Sequence, residues 1–140
     1  HILERLYEAN PDRWAQDYIK NLNRLSYLYN QTGRFEEASS LNRRSRMILS
    51  PLYRDDPASL HLDHIRLLNN LAHTHLLQKS ISEAKEEALA CLAELETVEN
   101  DPPTYFLKEI LTNLVAIFEA TGMEREAQRC GEWLDSITEK

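Results

Sequence analysis

The sequence contains little of what builds loops, crosslinks or membrane spans. Its 140 residues include only three glycines and five prolines, so few positions interrupt regular backbone structure. Two cysteines, neither in a Cys-x-x-Cys pair, exclude a disulfide-rich scaffold and are typical of small buried side chains in a reducing compartment. No apolar run approaches the roughly 18 residues that a membrane-spanning helix requires. These absences predict a helical, cytoplasmic protein that has no membrane partner.

Acidic residues outnumber basic ones, and the two signs are unevenly distributed. The net charge is -7: residues 1–54 hold nine Lys/Arg against six Asp/Glu, whereas residues 55–140 hold seven against seventeen. A net-acidic chain is a poor general binder of nucleic acid, because that function requires a positive surface. The basic cluster Arg43, Arg44 and Arg46 is expected to be a solvated helix face. The sequence therefore predicts no nucleic-acid partner.

Three Asx–Pro steps divide the chain at nearly equal intervals. Asn10–Pro11, Asp56–Pro57 and Asp101–Pro102 are spaced by 46 and 45 residues. Asn and Asp accept hydrogen bonds from the free N–H groups at a helix start, and Pro fits the first helical turn. The steps therefore predict long amphipathic helices over 12–31, 57–78 and 102–121.

Each of these helices is followed by a turn residue and, five positions later, by a small alanine. The three copies of this pattern are Gly33-Phe35-Ala38, Lys79-Ile81-Ala84 and Gly122-Glu124-Ala127. Glycine permits the left-handed conformation that ends a helix, and alanine lets two antiparallel helices approach closely. Lys79 stands where the other copies have Gly, so the second turn must strain a side chain or close differently. The pattern predicts second helices over 35–50, 82–98 and 124–138.

The chain thus divides into three helix–turn–helix units within a single domain, 1–140. The units span 11–50, 56–98 and 101–138. Residues 1–9 are apolar-periodic and end at the first Asx–Pro step, so they are interpreted as the second helix of a preceding unit. We therefore expect the chain to be part of a longer array.

The three units resemble the tetratricopeptide repeat family. The resemblance depends on a leucine pair, a bulky residue four positions later, the turn residue and the alanine. The first unit has Leu22, Leu25, Tyr29, Gly33, Phe35 and Ala38. The other two match the pattern in part, the second with Leu68, Leu71, Ala72, Ile81 and Ala84 and the third with Leu111, Leu114, Phe118, Gly122 and Ala127. The usual repeat has about 34 residues, and the 43–46 here resemble the elongated variant of kinesin light chains and of bacterial arrays.

The resemblance implies an all-α, right-handed superhelical solenoid of antiparallel helix pairs, about 3.5 repeats long. In such folds the first helices line a concave face that binds a protein or peptide. The predicted concave residues lie between the leucine rows: Lys20, Asn23, Arg24, Tyr27, Arg66, Asn69, Asn70, His73 and Asn113, with Gln31, Glu109, Thr112 and Ala116 on the same rows. Asparagine amides can hold an extended peptide backbone, and the three cations suit an acidic partner.

Neither catalysis nor cofactor binding is expected. His61 and His64 are one helical turn apart and could share a metal ion, but no further ligand stands at suitable spacing. No nucleophile motif, phosphate-binding loop or glycine fingerprint occurs. The sequence predicts a non-enzymatic interaction module without metal or cofactor. Two alternatives remain open: a regulatory segment that controls an effector domain elsewhere in the parent chain, and self-association as a homodimer.

Overall fold

The computed structural model describes residues 2–138 as an all-α protein. No strand occurs within that range, and none of its helices combines the length and the apolarity needed to cross a membrane. The elements are α1 (Ile2–Ala9), α2 (Pro11–Gln31), α3 (Phe35–Asp55), α4 (Pro57–Leu77), α5 (Ile81–Glu96), α6 (Thr104–Ala120) and α7 (Glu124–Thr138).

Two of the three Asx–Pro steps begin a helix at the proline, as predicted. Asp56 caps α4 because its carboxylate accepts from the Ser59 backbone N–H at 3.4 Å and from the Ser59 hydroxyl at 2.6 Å. Asn10 makes no equivalent side-chain cap at α2. The third helix begins at Thr104 instead of Pro102, because a following proline disfavours helical backbone at the residue before it.

The first unit differs from the prediction at the end of its second helix. We expected a stop at residue 50, before a proline, yet α3 continues through Pro51 to Asp55. Proline removes one hydrogen bond to the carbonyl four residues earlier, here that of Met47. Both Pro51 and Met47 are exposed, so water can hydrate that carbonyl. The helix therefore tolerates the proline and extends by five residues.

The three helix-to-helix turns close in the same way, including the one that lacks glycine. Gly33, Lys79 and Gly122 have φ of 76°, 64° and 77°, all in the left-handed region. In each turn the next backbone N–H donates to a carbonyl five residues earlier at 2.8 Å, as in Ser80 to His75. The second turn thus takes the strained alternative: Lys79 adopts a conformation that costs little only for glycine.

Contacts between side chains fix the direction of the helices. Ser26 bonds to Asn42 while Asn23 bonds to Ser45, so residue numbers rise on α2 as they fall on α3. These two helices are antiparallel. Across units the order is opposite: Lys20 bonds to Asp63 and Asn30 to Asn70, so α2 and α4 are parallel. The bonds Arg66–Glu109 and Asn69–Asn113 show that α4 and α6 are parallel too.

The apolar core is concentrated in the C-terminal half. A large cluster of buried side chains joins α4 to α7 and includes Phe118, Ile110 and Leu114. A much smaller one joins α2, α3 and α4 around Ile19 and Leu49. The predicted core leucines at 22, 68, 71, 111 and 114 are buried, and the one at 25 is half-buried.

Both cysteines lie in the larger cluster as free thiols. Burial raises the pKa of both, that of Cys130 to about 11. A thiol that stays protonated at neutral pH is a weak nucleophile. These side chains therefore serve packing.

Candidate functional site

Two of the amides predicted to line a groove, Asn23 and Asn70, instead belong to a buried hydrogen-bond network between α2, α3 and α4. Asn23 Nδ2 donates to the Asp63 carbonyl at 3.2 Å, and Asn23 Oδ1 accepts from Ser45 Oγ at 2.7 Å. Asn70 Nδ2 donates to the Asn23 carbonyl at 2.8 Å. Asn30 Nδ2 donates to the Asn70 carbonyl at 3.2 Å. These amides satisfy backbone carbonyls of the neighbouring first helix, not of a ligand.

The network continues into α3 through Asn42. Ser26 Oγ donates to Asn42 Oδ1 at 2.5 Å, and Asn42 Nδ2 donates to Thr74 Oγ1 at 2.9 Å. Thr74 Oγ1 in turn lies 2.9 Å from Asn30 Oδ1, which accepts its proton. Since an unpaired buried polar group costs free energy, these satisfied bonds fix how the three helices pack.

A periodic stripe on each helix carries the network, and this signal was present in the sequence. The buried residues follow a spacing of four, three and four positions, which keeps them on one helix face. The stripes are Ile19-Asn23-Ser26-Asn30 on α2, Ala38-Asn42-Ser45-Leu49 on α3 and Asp63-Leu67-Asn70-Thr74 on α4. None contains Lys, Arg or Glu.

The predicted surface location of three asparagines is therefore wrong. Asn23, Asn69 and Asn70 are at most 1% exposed. A first helix contacts its own partner helix and the first helices of adjacent units, so its buried arc is wider than the leucine rows alone suggest. Asn113 is half-buried and donates to Asn69 Oδ1 at 2.9 Å. Asn69 Nδ2 is buried beside the Cys91 thiol.

A small open groove does form on the surface shared by α2, α4 and α6. Its volume is about 250 Å³. Three of the predicted cations line it, together with four residues that were not predicted to do so. We call it the α2–α4–α6 groove. Its lining residues are Lys20, Arg24, Leu62, Asp63, Arg66, Tyr105 and Phe106.

Two of the three cations in this groove are neutralised by carboxylates of the next unit. Lys20 Nζ lies 2.8 Å from Asp63, whose side chain is largely buried. Arg66, 46 residues later in the sequence, pairs with Glu109 and stacks over the Phe106 ring. The predicted positive strip is therefore reduced to a single cation, Arg24.

Arg24 is exposed and forms no ion pair with any residue in 2–138. Tyr27 is half-buried beside it, and burial raises the pKa of its phenol, with Glu109 adding to the rise and Arg66 and Arg24 opposing it. Tyr105 is 73% exposed. The groove thus offers an unpaired guanidinium and an exposed aromatic ring, which is the chemistry of a site for a carboxylate-bearing or aromatic ligand.

His73 completes the set of predicted residues, and it does not line the groove. It is half-buried, and burial lowers its pKa, so it is neutral at physiological pH. The residues that the sequence reasoning missed are Leu62, Asp63, Tyr105 and Phe106. Tyr105 follows the Pro–Pro pair on the first turn of α6, where an aromatic residue has no partner helix to cover it; that position was the available signal.

The histidine pair considered for metal binding contacts one carboxylate. His64 Nδ1 is 2.7 Å and His61 Nε2 is 3.6 Å from Glu94 Oε1, and the Tyr53 hydroxyl donates to the same oxygen at 3.0 Å. The Tyr53 and His64 rings stack with centroids 4.0 Å apart. Within residues 2–138 no group of three or more His, Cys, Asp or Glu is arranged to hold a metal ion. This cluster joins α3, α4 and α5.

Comparison of the chain with protein families, with curated proteins and with solved structures finds no match.

Proposed function

We propose that this chain is a tetratricopeptide-like repeat module that binds a protein or peptide partner and catalyses no reaction. The helix pairs form part of a right-handed superhelical array, and the α2–α4–α6 groove is on its concave, partner-binding face. Parallel first helices, antiparallel pairs and three turns of one geometry support the repeat architecture.

The proposed binding role is argued from Arg24, which is exposed and forms no ion pair within residues 2–138. An exposed guanidinium that has no counter-ion among residues 2–138, in the same groove as the exposed Tyr105 ring, contributes nothing evident to folding. Arginine and tyrosine are also the residue types enriched in the energetically dominant positions of protein interfaces. The neighbouring ion pairs Lys20–Asp63 and Arg66–Glu109 hold the groove walls in place. We therefore assign partner contact to Arg24 and Tyr105 and wall stabilisation to the pairs.

A pull-down from lysate, read by quantitative mass spectrometry, tests this function. The wild type is compared with Arg24→Gln/Tyr105→Ser. A matched control, Arg43→Gln/Leu89→Ser, removes one exposed cation and one exposed apolar residue elsewhere. We expect partners that the groove variant loses and the control retains. Equal retention by both variants would contradict the proposal and assign any partner contact to another surface.

Self-association is a second candidate, favoured by α1. This helix has no buried residue, and Ile2 is 76% exposed. Sedimentation velocity at two protein concentrations, with Ile2→Ser as the comparison, separates a dimer through α1 from a monomer.

A further inference from the structure

A cleft separate from the α2–α4–α6 groove, hereafter the first cleft, lies at the corner where α1 meets α2 and α3 meets α4. Its volume is about 560 Å³, within the range of roughly 300–1,000 Å³ in which proteins bind ligands. None of its lining residues lines the α2–α4–α6 groove. Apolar residues of α1, α2, α3 and α4 form its wall. They are Tyr7, Pro11, Ala15, Met47, Ile48, Pro51, Leu52 and Leu60.

Met47 is an accessible part of this wall. It is 75% exposed, whereas Leu60, which lines the same cleft, is buried. Methionine is flexible and polarizable, so it adapts to apolar groups of different shape. The cleft can therefore enclose an apolar side chain about the size of leucine.

The polar part of the lining carries one sign of charge. Asp12, Asp55 and Asp56 line the cleft, and no Lys or Arg does. Asp56 is committed to capping Ser59. Asp12 and Asp55 are exposed and pair with no cation in the part of the chain that the structure describes. Several carboxylates around a low-dielectric cleft, without cations among them, attract cationic groups.

The same corner recurs in the next unit. Ten of the lining positions recur 46 residues later; among them, Tyr7, Pro11 and Asp55 correspond to Tyr53, Pro57 and Asp101. The cleft in the next unit, of about 530 Å³, is also lined by Glu94, Glu99 and Asp101 and, among the described residues, by no Lys or Arg. The acidic character thus belongs to this corner of successive units, not to one position.

We propose that the first cleft docks a basic segment of another protein. One apolar side chain of that segment enters between Met47 and Leu60, and flanking Lys or Arg side chains lie against Asp12 and Asp55. Charge complementarity selects this occupant. A second copy of this chain carries a net charge of -7, which disfavours it as the occupant of this acidic cleft. This surface is independent of the groove proposed above.

Fluorescence anisotropy with three labelled hexapeptides tests the proposal on the whole chain. The first alternates lysine and leucine, the second lysine and serine, and the third glutamate and leucine. The variant Asp12→Asn/Asp55→Asn removes two charges from the cleft. Asp17→Asn/Glu86→Gln removes two exposed charges that line no cleft and serves as the control. Circular dichroism verifies that both variants are folded.

We expect the lysine–leucine peptide to bind most tightly and the cleft variant to weaken it roughly fivefold, as the loss of two partly exposed ion pairs implies. The control variant should leave affinity within about twofold. Equal weakening by both variants would overturn the proposal, because the attraction would then be general. So would equal binding of the lysine–serine peptide, or absence of binding at millimolar concentration. A concentration-dependent dimer abolished by Met47→Ser would assign the cleft to a second copy instead.

Discussion

Lys79 is the residue whose backbone conformation fits its side chain least well. It is the one non-glycine residue with positive φ in the described range, and its counterparts are Gly33 and Gly122. The left-handed conformation costs an L-residue about 1–2 kcal/mol. Glycine avoids this cost, but its larger loss of backbone entropy on folding offsets part of the gain. The sequence alone identified this position but could not decide how the turn closes.

Lys79→Gly should therefore stabilise the protein by about 0.5–1 kcal/mol. Urea unfolding of the wild type and the variant measures the change. Lys79→Ala keeps a Cβ in the same conformation and provides the control, with little expected change. A loss of stability in Lys79→Gly would mean that the lysine side chain makes a contact that outweighs the strain.

Asn70 contributes to folding through both its amide and its backbone. Its Nδ2 donates to the Asn23 carbonyl, and it is 1% exposed. Asn70→Ala removes this buried hydrogen bond between two helices, which costs about 0.5–1.5 kcal/mol. Urea unfolding should show this loss, whereas Asn113→Ala, at a half-buried position, should lose less. An unchanged midpoint for Asn70→Ala would show that position 70 is solvated, as the sequence had suggested.

At the scale of elements, the helices were largely predictable and their faces were not. Pro57 and the glycines at 33 and 122 act locally, through φ and missing N–H groups, so they mark helix ends without knowledge of the fold. The boundaries that failed, at Pro51 and Pro102, depend on solvent exposure and on a neighbouring proline. Residues such as Asn23 look solvated in isolation, and only the adjacent first helix shows which carbonyl they satisfy.

The cluster around Glu94 gives the contact of α3, α4 and α5 a pH dependence. Burial acts to raise the pKa of Glu94, but hydrogen bonds from His64 and Tyr53 outweigh it, so the pKa is lowered. Burial and the Glu94 contact raise the pKa of Tyr53 to about 12. A lowered carboxyl pKa contributes stability above the unfolded value, near 4.5, and that contribution disappears as pH falls through the folded value.

We therefore expect the stability difference between the wild type and Glu94→Gln to be present above about pH 4.5 and to shrink below it. Thermal unfolding from pH 3 to 7 measures it. Glu86→Gln, an exposed substitution on the same helix, should show no such trend. A difference that is constant across this range would mean that the charge of Glu94 does not contribute to the packing of these helices.

At the scale of the whole molecule, the apolar core is unevenly distributed. The larger cluster joins α4 to α7, whereas α2 and α3 share a smaller apolar cluster and the asparagine network, and α1 has no buried residue. Local opening is easiest where few apolar contacts oppose it. Native-state hydrogen exchange should therefore be fastest in α1, intermediate in α2 and α3, and slowest in α4 and α6. Uniform protection along the chain would contradict this gradient.

Partner binding through the α2–α4–α6 groove is the central functional claim, and site-specific photo-crosslinking tests it most directly. A benzophenone amino acid replaces Tyr105 in the groove or, as a control, Leu89 on α5; both positions are exposed. After irradiation in lysate, we predict a discrete adduct from position 105 that Arg24→Gln diminishes, and none from position 89. Adducts from position 89 alone, or equally from both, would contradict the claim.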